Sequence, residues 1–253
     1  KVIYTALGFR FYRGEKLLKN AIFLSLEKLA GNWTDYLIVI NKEDEDAAKR
    51  YGIVSSEKIG HIPSGIGINL DKYDANAVSE ADVTRVRQEL GITEENPLLL
   101  SIAEFIPRKH PQDILQAFAK LSRSNVRLAF AGEGKMLEDM KQLANRLGIS
   151  DRVDFLGYRH DIPALIKAAR TTILASELEG LPISIIESLC METPVIGSEI
   201  RGNTDLLEGG CGLLFKVGDT NALAQAMANI LDNSQEAKIM GAKGKQKMKI
   251  YEL

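Results

Sequence analysis

Two carboxylates eight positions apart, Glu179 and Glu187, frame the stretch SELEGLPISIIESLC (176–190). Pro182 suits the first turn of a helix, where its missing N–H costs nothing. Gly180, just before it, permits close backbone approach. The N-terminus of such a helix offers free N–H groups and partial positive charge, a natural phosphate site. At about 100° per residue, Glu187 falls near the face carrying Ile183, Ile186, Cys190 and Met191. An unpaired carboxylate in that position would cost several kcal/mol. It therefore needs donors, such as sugar or ribose hydroxyls, or else a core Lys or Arg, or an escape to solvent. Spacing alone leaves these alternatives open.

The elements that must position these groups follow from the hydrophobic pattern. From about residue 98 onward, short apolar strands (98–103, 126–131, 153–156, 172–175, 194–197, 212–215) alternate with amphipathic helices (111–121, 135–147, 162–169, 182–191, 203–207, 221–231). The strands lack two-fold alternation, as strands buried on both faces do. Their succession predicts a doubly wound, Rossmann-like parallel sheet covered by helices. The strand at 172–175 feeds the Gly180 turn, so the site falls at the carboxyl edge of the sheet. Ahead of it, strands at 2–6, 36–40 and 58–62 and a helix at 15–30 read as a partial α/β domain. Asn41 and the acidic run 43–46 suit a helix start. The segment PSGIGINLDKYD (63–74) reads as a connection. Two domains are expected, 1–66 and 67–253.

Other loops converge on the same edge. AEFIPRKHP (103–111) sets Arg108 and Lys109 at a strand-to-helix turn, where a basic pair suits a diphosphate or is simply solvated. AGEGKM (131–136) is a Gly-rich turn that serves packing as readily as binding. His160, in GYRHDIP (157–163), has no partner in view and reads as a turn residue. GSEIRGNTDLL (197–207) adds one more polar loop.

Composition narrows the class. The chain has 253 residues, 45% hydrophobic and 26% charged, enough for a core without disulfides. A net charge of −2 argues against a nucleic-acid binder. Cys190 and Cys211 lack partners at metal spacing and read as reduced buried thiols, which fits a cytoplasmic protein. No apolar run reaches membrane-spanning length. The chain opens at Lys1, inside a strand pattern, and reads as a piece of something longer.

With these residues in hand, the chain resembles the retaining glycosyltransferases of family 4, of GT-B fold, in the branch that makes bacterial surface polysaccharides. The match rests on Glu179, seven intervening residues and Glu187, followed by TPVI (193–196). AGEGKMLEDMKQLANRLGISDRVDFLGYRHDIPALIKAA (131–169) extends it upstream, and GLLFKVGDTNALAQAM (212–227) downstream. YTALGFRFYRG (4–14), SLEKLAGNWTDYLIVINKED (25–44) and IPSGIGINLDKY (62–73) are similar to the second half of the acceptor domain and its link to the donor domain.

The resemblance implies a complete donor domain, a partial acceptor domain, and a nucleotide-sugar donor, a UDP-sugar first, with no obligatory metal or other cofactor. It implies that Glu179 contacts the donor sugar, Lys109 the diphosphate with Arg108 beside it, and Glu187 the ribose. The backbone of Gly180, Leu181, Pro182 and Ile183 would lie against phosphates and sugar, and Arg159 near the base. The acceptor would be a glycan or a lipid-linked saccharide. The helix 15–30, in which Lys16, Lys19 and Lys28 alternate with Leu17, Leu18, Ile22, Phe23 and Leu26, reads first as packing on the first sheet and only second as contact with an anionic bilayer, at the inner face of the membrane, or with a lipid-linked acceptor.

Departures are visible. Leu7 stands where the family has a histidine near the reacting sugar, and leucine makes no hydrogen bond. Glu104 replaces a common arginine, and the closing segment KGKQKMKIYEL (243–253) looks short. Leu7 and the absent first units motivate a second reading, a donor-binding module with little transfer. A nucleotide-sugar epimerase of the same layout is a weaker third, for lack of its catalytic carboxylates and histidines.

Overall fold

The computed structural model describes residues 1–12, 14–62 and 70–251. The expected connection at 63–74 lies outside the described residues as far as position 69, and so does the expected boundary at 66/67. What is described contains two parallel sheets.

The smaller sheet runs β1 (Ile3–Ala6), β2 (Tyr36–Val39), β3 (Ile59–His61), in chain order. Helix α1 (Leu17–Gly31) joins β1 to β2, and α2 (Lys42–Tyr51) joins β2 to β3. Asn41 caps α2, its side-chain oxygen accepting the Asp44 N–H at 2.8 Å. Acidic residues fill the first turn of α2, as expected of a helix start. Packing of α1 departs from expectation. Of Leu17, Leu18, Ile22, Phe23 and Leu26, only Phe23 reaches the core of this sheet, with Leu24 beside it. Leu17, Leu18, Ile22, Leu26 and Leu29 all stand exposed. Apolar residues lie on more than one side of α1, and a three-stranded sheet can cover only one of them.

The larger sheet is built from β4 (Leu98–Ile102), β5 (Arg127–Ala131), β6 (Val153–Phe155), β7 (Thr171–Leu174), β8 (Val195–Ser198) and β9 (Gly212–Phe215). Their spatial order is β6-β5-β4-β7-β8-β9, every pair parallel. This is the doubly wound order, and its direction reverses between β4 and β7. Both faces are buried. Leu98 and Leu100 enter one core and Leu99 the other, the two-residue period of a strand read as two layers.

One face is covered by α3 (Glu80–Leu90), α6 (Ile162–Ala168) and α7 (Ile183–Cys190). The other is covered by α4 (Pro111–Ala119), α5 (Leu137–Arg146) and α9 (Thr220–Asp232). A short helix, α8 (Asn203–Leu207), follows β8, and α10 (Ser234–Met248) packs across α7. The pattern had not marked α3 or α10. In α3 only Val83, Val86 and Leu90 are buried, a narrow stripe in a polar sequence. In α10 the buried stripe includes Gly241 and Gly244, which carry no hydrophobic signal. Among the described residues no helix is long and apolar enough to cross a membrane.

The docking of α10 can be checked through Gly241. A Cβ there would overlap the Glu192 carbonyl at the end of α7. Alanine favours a free helix by about 0.8–1 kcal/mol over glycine, but overpacking typically costs about 1–3 kcal/mol. Gly241→Ala is therefore expected to lower the melting temperature by a few degrees. A rise in a thermal melt would mean that α10 is not held against α7.

Candidate active site

Neighbouring loops part where the strand order reverses. The loop after β4 carries the turn Pro107–Lys109, and the loop after β7 carries Glu177 to Pro182. The two are stitched together. Glu177 N–H donates to the Arg108 carbonyl at 2.9 Å, and Arg108 Nη1 donates to the Leu178 carbonyl at 3.0 Å. Lys109 Nζ donates to the Glu179 carboxylate, and Arg108 stands 3.7 Å from its other oxygen. His110, with φ of 49°, bridges Asp113 and Glu177 at 2.9 and 3.3 Å. The Gly-rich turn at 132–134 serves this loop as packing. Phe105 N–H donates to the Glu133 carbonyl at 2.8 Å, and Met136 N–H donates to the Phe105 carbonyl at 3.0 Å.

A cleft of about 740 Å³ opens beside these charges, lined by Leu7 and Gly8 from the smaller sheet and by Arg108, Glu179, Gly180 and Ile183 from the larger. The close approach of the segments beside it has a backbone origin. A Cβ at Gly180 would overlap the Leu7 carbonyl oxygen, and one at Gly202, where φ is 75°, would overlap the Gly180 carbonyl. Only glycine lets the three segments cross so closely. The Leu7 side chain is 64% exposed in this cleft.

Helix α7 points its N-terminus at the same place. Ile185, Ile186, Leu189 and Cys190 face the core, but Ile183, expected among them, is half exposed and lines the cleft. Glu187 is half-buried and accepts a hydrogen bond from the Tyr73 hydroxyl. Burial pushes its carboxyl above the usual range, while Tyr73 and the charge of Lys72 pull it back. Of the alternatives open to Glu187, a neutral hydroxyl donor is present. Tyr73 lies in the segment read as a connection, where no local signal marks a partner for residue 187. Glu187 does not line the cleft that holds Glu179.

The sequence-derived set is thus divided. Arg108, Lys109, Glu179, Gly180, Leu181, Pro182 and Ile183 come together, with Glu187 one turn further along α7. Arg159 is committed elsewhere. Its guanidinium is chelated by Asp161 at 2.8 Å and by Glu89 of α3 at 2.6 and 3.0 Å. His160 is exposed in its turn, edge-on to Tyr158. Cys190 and Cys211 are buried free thiols, and burial, with the Glu187 charge adding to it, pushes Cys190 up to about 12.

One group escaped sequence reasoning. Arg201, between β8 and α8, is 6% exposed and its Nη1 meets Asp44 Oδ1 at 2.5 Å, linking the two sheets. Asp44 also accepts the Phe9 N–H at 3.2 Å and the Asn41 amide at 2.8 Å. As a first-turn acid of α2, Asp44 reads in sequence as an ordinary dipole partner, so nothing local announces its burial.

With this geometry in place, known proteins can be compared. Residues 82–247 match the family described as glycosyl transferases group 1. EpsD of Bacillus subtilis is 32% identical over 249 residues, 97% of this chain and 64% of the relative. The UDP-Gal:alpha-D-GlcNAc-diphosphoundecaprenol alpha-1,3-galactosyltransferase of Escherichia coli is 26% identical over 238 residues, 92% of this chain and 60% of the relative. The chain therefore spans less than two thirds of the length of these curated relatives. The crystal structure of Anabaena Alr3699/HepE in complex with UDP superposes with a TM-score of 0.84 at 21% identity, covering 99% of this chain and 68% of that one. WaaG, a glycosyltransferase involved in lipopolysaccharide biosynthesis, gives 0.80 at 21% identity, covering 98% and 70%. The fold is the GT-B fold of these neighbours.

The raised carboxyl of Glu187 has a consequence for stability. Its folded-state value lies above the unfolded one, so the folded chain binds more protons, and stability is lost as pH rises through the folded value. Glu187→Gln removes that loss. The variant is expected to melt above the parent at neutral pH and to converge with it below the unfolded carboxylate range, about pH 4. Thermal melts across pH check this; a lower melting temperature at neutral pH would contradict it.

Proposed function

This chain belongs to the group 1 glycosyl transferases, and from that premise we propose that its cleft takes a nucleotide-diphosphate sugar, a UDP-sugar first, and passes the sugar with retention at the anomeric carbon to a glycan or lipid-linked acceptor in bacterial polysaccharide synthesis. The observation that carries the reading is the meeting of Arg108 and Glu179, the latter paired with Lys109 behind it, with Gly180, Leu181 and Ile183 at the N-terminus of α7 along one cleft at the strand-order reversal.

In this reading the bond from the anomeric carbon to the diphosphate breaks and its electron pair leaves on phosphate oxygen, while the acceptor's hydroxyl oxygen bonds to the anomeric carbon on the same face and gives its proton to the departing phosphate. Lys109, Arg108 and the α7 N–H groups stabilise that developing charge. Glu179, released from Lys109 when phosphate takes its place, holds sugar hydroxyls. Glu187 with Tyr73 receives the ribose, its carboxylate accepting from hydroxyls. The backbone of Gly180 to Ile183 lies along the phosphates. Arg159 is assigned to the base side only as a support, because its donors are already taken by Asp161 and Glu89. Residues 1–66 are read as part of the acceptor side and 67–253 as the donor domain. The family relatives named for transfer to diphosphoundecaprenol-linked saccharides support a lipid-linked acceptor. The two buried thiols suit a cytoplasmic location.

A second reading is favoured by one observation. Leu7 lines the cleft where the family resemblance expects a histidine. A donor-binding module with little transfer would look the same.

Calorimetric titration with UDP and UDP-sugars, beside a transfer assay, separates the two. UDP is expected to bind, and Glu187→Ala to weaken it about tenfold to a hundredfold, the worth of hydrogen bonds to a charged group. Unchanged affinity in that variant would remove Glu187 from the donor site. Binding without turnover would select the second reading, and turnover would reject it.

The alternation of Lys16, Lys19 and Lys28 with Leu17, Leu18, Ile22 and Leu26 supports peripheral contact with an anionic bilayer that carries the acceptor. The chain is expected to sediment with anionic liposomes at low salt and to be released as salt rises. Failure to sediment at low salt would end this part of the reading.

A further inference from the structure

We propose that Arg201, Asp44 and Asn41 form a latch that holds the two sheets closed and positions the Glu179–Gly180 loop, so that the sugar end of the donor site is assembled only in the closed arrangement. This goes beyond the donor residues named above, and its positioning half rests on that reading of the cleft.

The bonds are asymmetric in a telling way. Arg201 Nε donates to the Glu179 carbonyl at 3.3 Å, on the larger sheet's side. Its Nη1 meets Asp44 at 2.5 Å and its Nη2 donates to the Phe9 carbonyl, both on the smaller sheet's side. Asp44 takes the Phe9 N–H with its other oxygen, so both polar groups of the Phe9 backbone are held by this one pair. Asn41 shares the Asp44 carboxylate and reaches across to the Gly180 carbonyl at 3.2 Å. The carbonyls of Glu179 and Gly180, neighbours in the loop that pairs with Lys109, are thus each fastened to a side chain of the latch. A planar guanidinium with five donors can serve a carboxylate and carbonyls on two sides at once; a lysine ammonium cannot hold that fork.

The pair is buried, with side-chain exposures of 3% and 1%. A buried pair gains little net stability over a well-packed apolar pair. Its value here lies in geometry: opening the sheets would leave Arg201 and Asp44 without each other and free the Gly180 carbonyl. Arg201 touches backbone rather than the proposed reacting atoms, which makes it a positioning residue.

The test uses spin labels on Lys28→Cys in α1 and Lys141→Cys in α5, both exposed sites, one beside each sheet. Asp44→Leu with Arg201→Met removes both charges and leaves none stranded; Arg201→Lys is the conservative companion in case the double variant fails to fold. The parent is expected to give one narrow distance distribution. Both variants are expected to broaden it toward longer separations, to lower transfer kcat about a hundredfold, as misplacement of a reacting group does, and to hold donor KM and UDP affinity within about threefold, since Glu187 and α7 are untouched. Unchanged distances overturn the latch. Open distances with unchanged kcat overturn the positioning role. If the parent fails to bind UDP, the donor reading falls, and the latch stands or falls on the distances.

Discussion

Parallel strands on either side of a strand-order reversal send their following loops to opposite faces of the sheet, and a crevice must open between them. That constraint, at the carboxyl ends of β4 and β7, organises this molecule. Backbone there has no ladder partner beyond the last register pair, so the loops must satisfy one another. They do so through Arg108 and the carbonyl of Leu178, through the N–H of Glu177, and through His110. The charged groups collect in the same place because the surrounding faces are filled by two apolar cores.

Charges held near a low-dielectric wall must be answered, and each is answered differently. Lys109 and Glu179 neutralise one another beside the cleft, an arrangement that an anion could enter by competition. At Glu187 burial outweighs the pull of the Tyr73 hydroxyl and the Lys72 charge, so its carboxyl stays above the usual range. Asp44 is driven the same way by burial, against the pull of Arg201, Asn41 and the Phe9 N–H. The site therefore carries polar groups that cost stability unless a partner is supplied, the usual condition of places that bind.

The smaller sheet contributes by proximity. Leu7 and Gly8 meet Gly180 at backbone distance, and Gly202 meets it from the other side, so three chain segments from two sheets share one narrow crossing. Two sheets joined through such a crossing and a buried ion pair can change their separation only by breaking both. Helix α1, by contrast, leaves Leu17, Leu18, Ile22, Leu26 and Leu29 uncovered by the three strands described.

The alternation of apolar strands and amphipathic helices, the doubly wound sheet, the cap at Asn41 and the basic turn at Lys109 were all legible in the chain, because periodicity and turn chemistry act over a few residues. So was the gathering of Glu179 and Gly180 at a helix start. Helices α3 and α10 were not, since their buried stripes are narrow or rest on glycine. The partners were not legible either. Lys109 meets Glu179 across 70 positions, Asn41 meets Gly180 across 139, and Arg201 meets Asp44 across 157. Local sequence sets which groups stand at the end of each strand. Which of them end up paired depends on the order in which the strands assemble, and that is decided only when the distant cores pack.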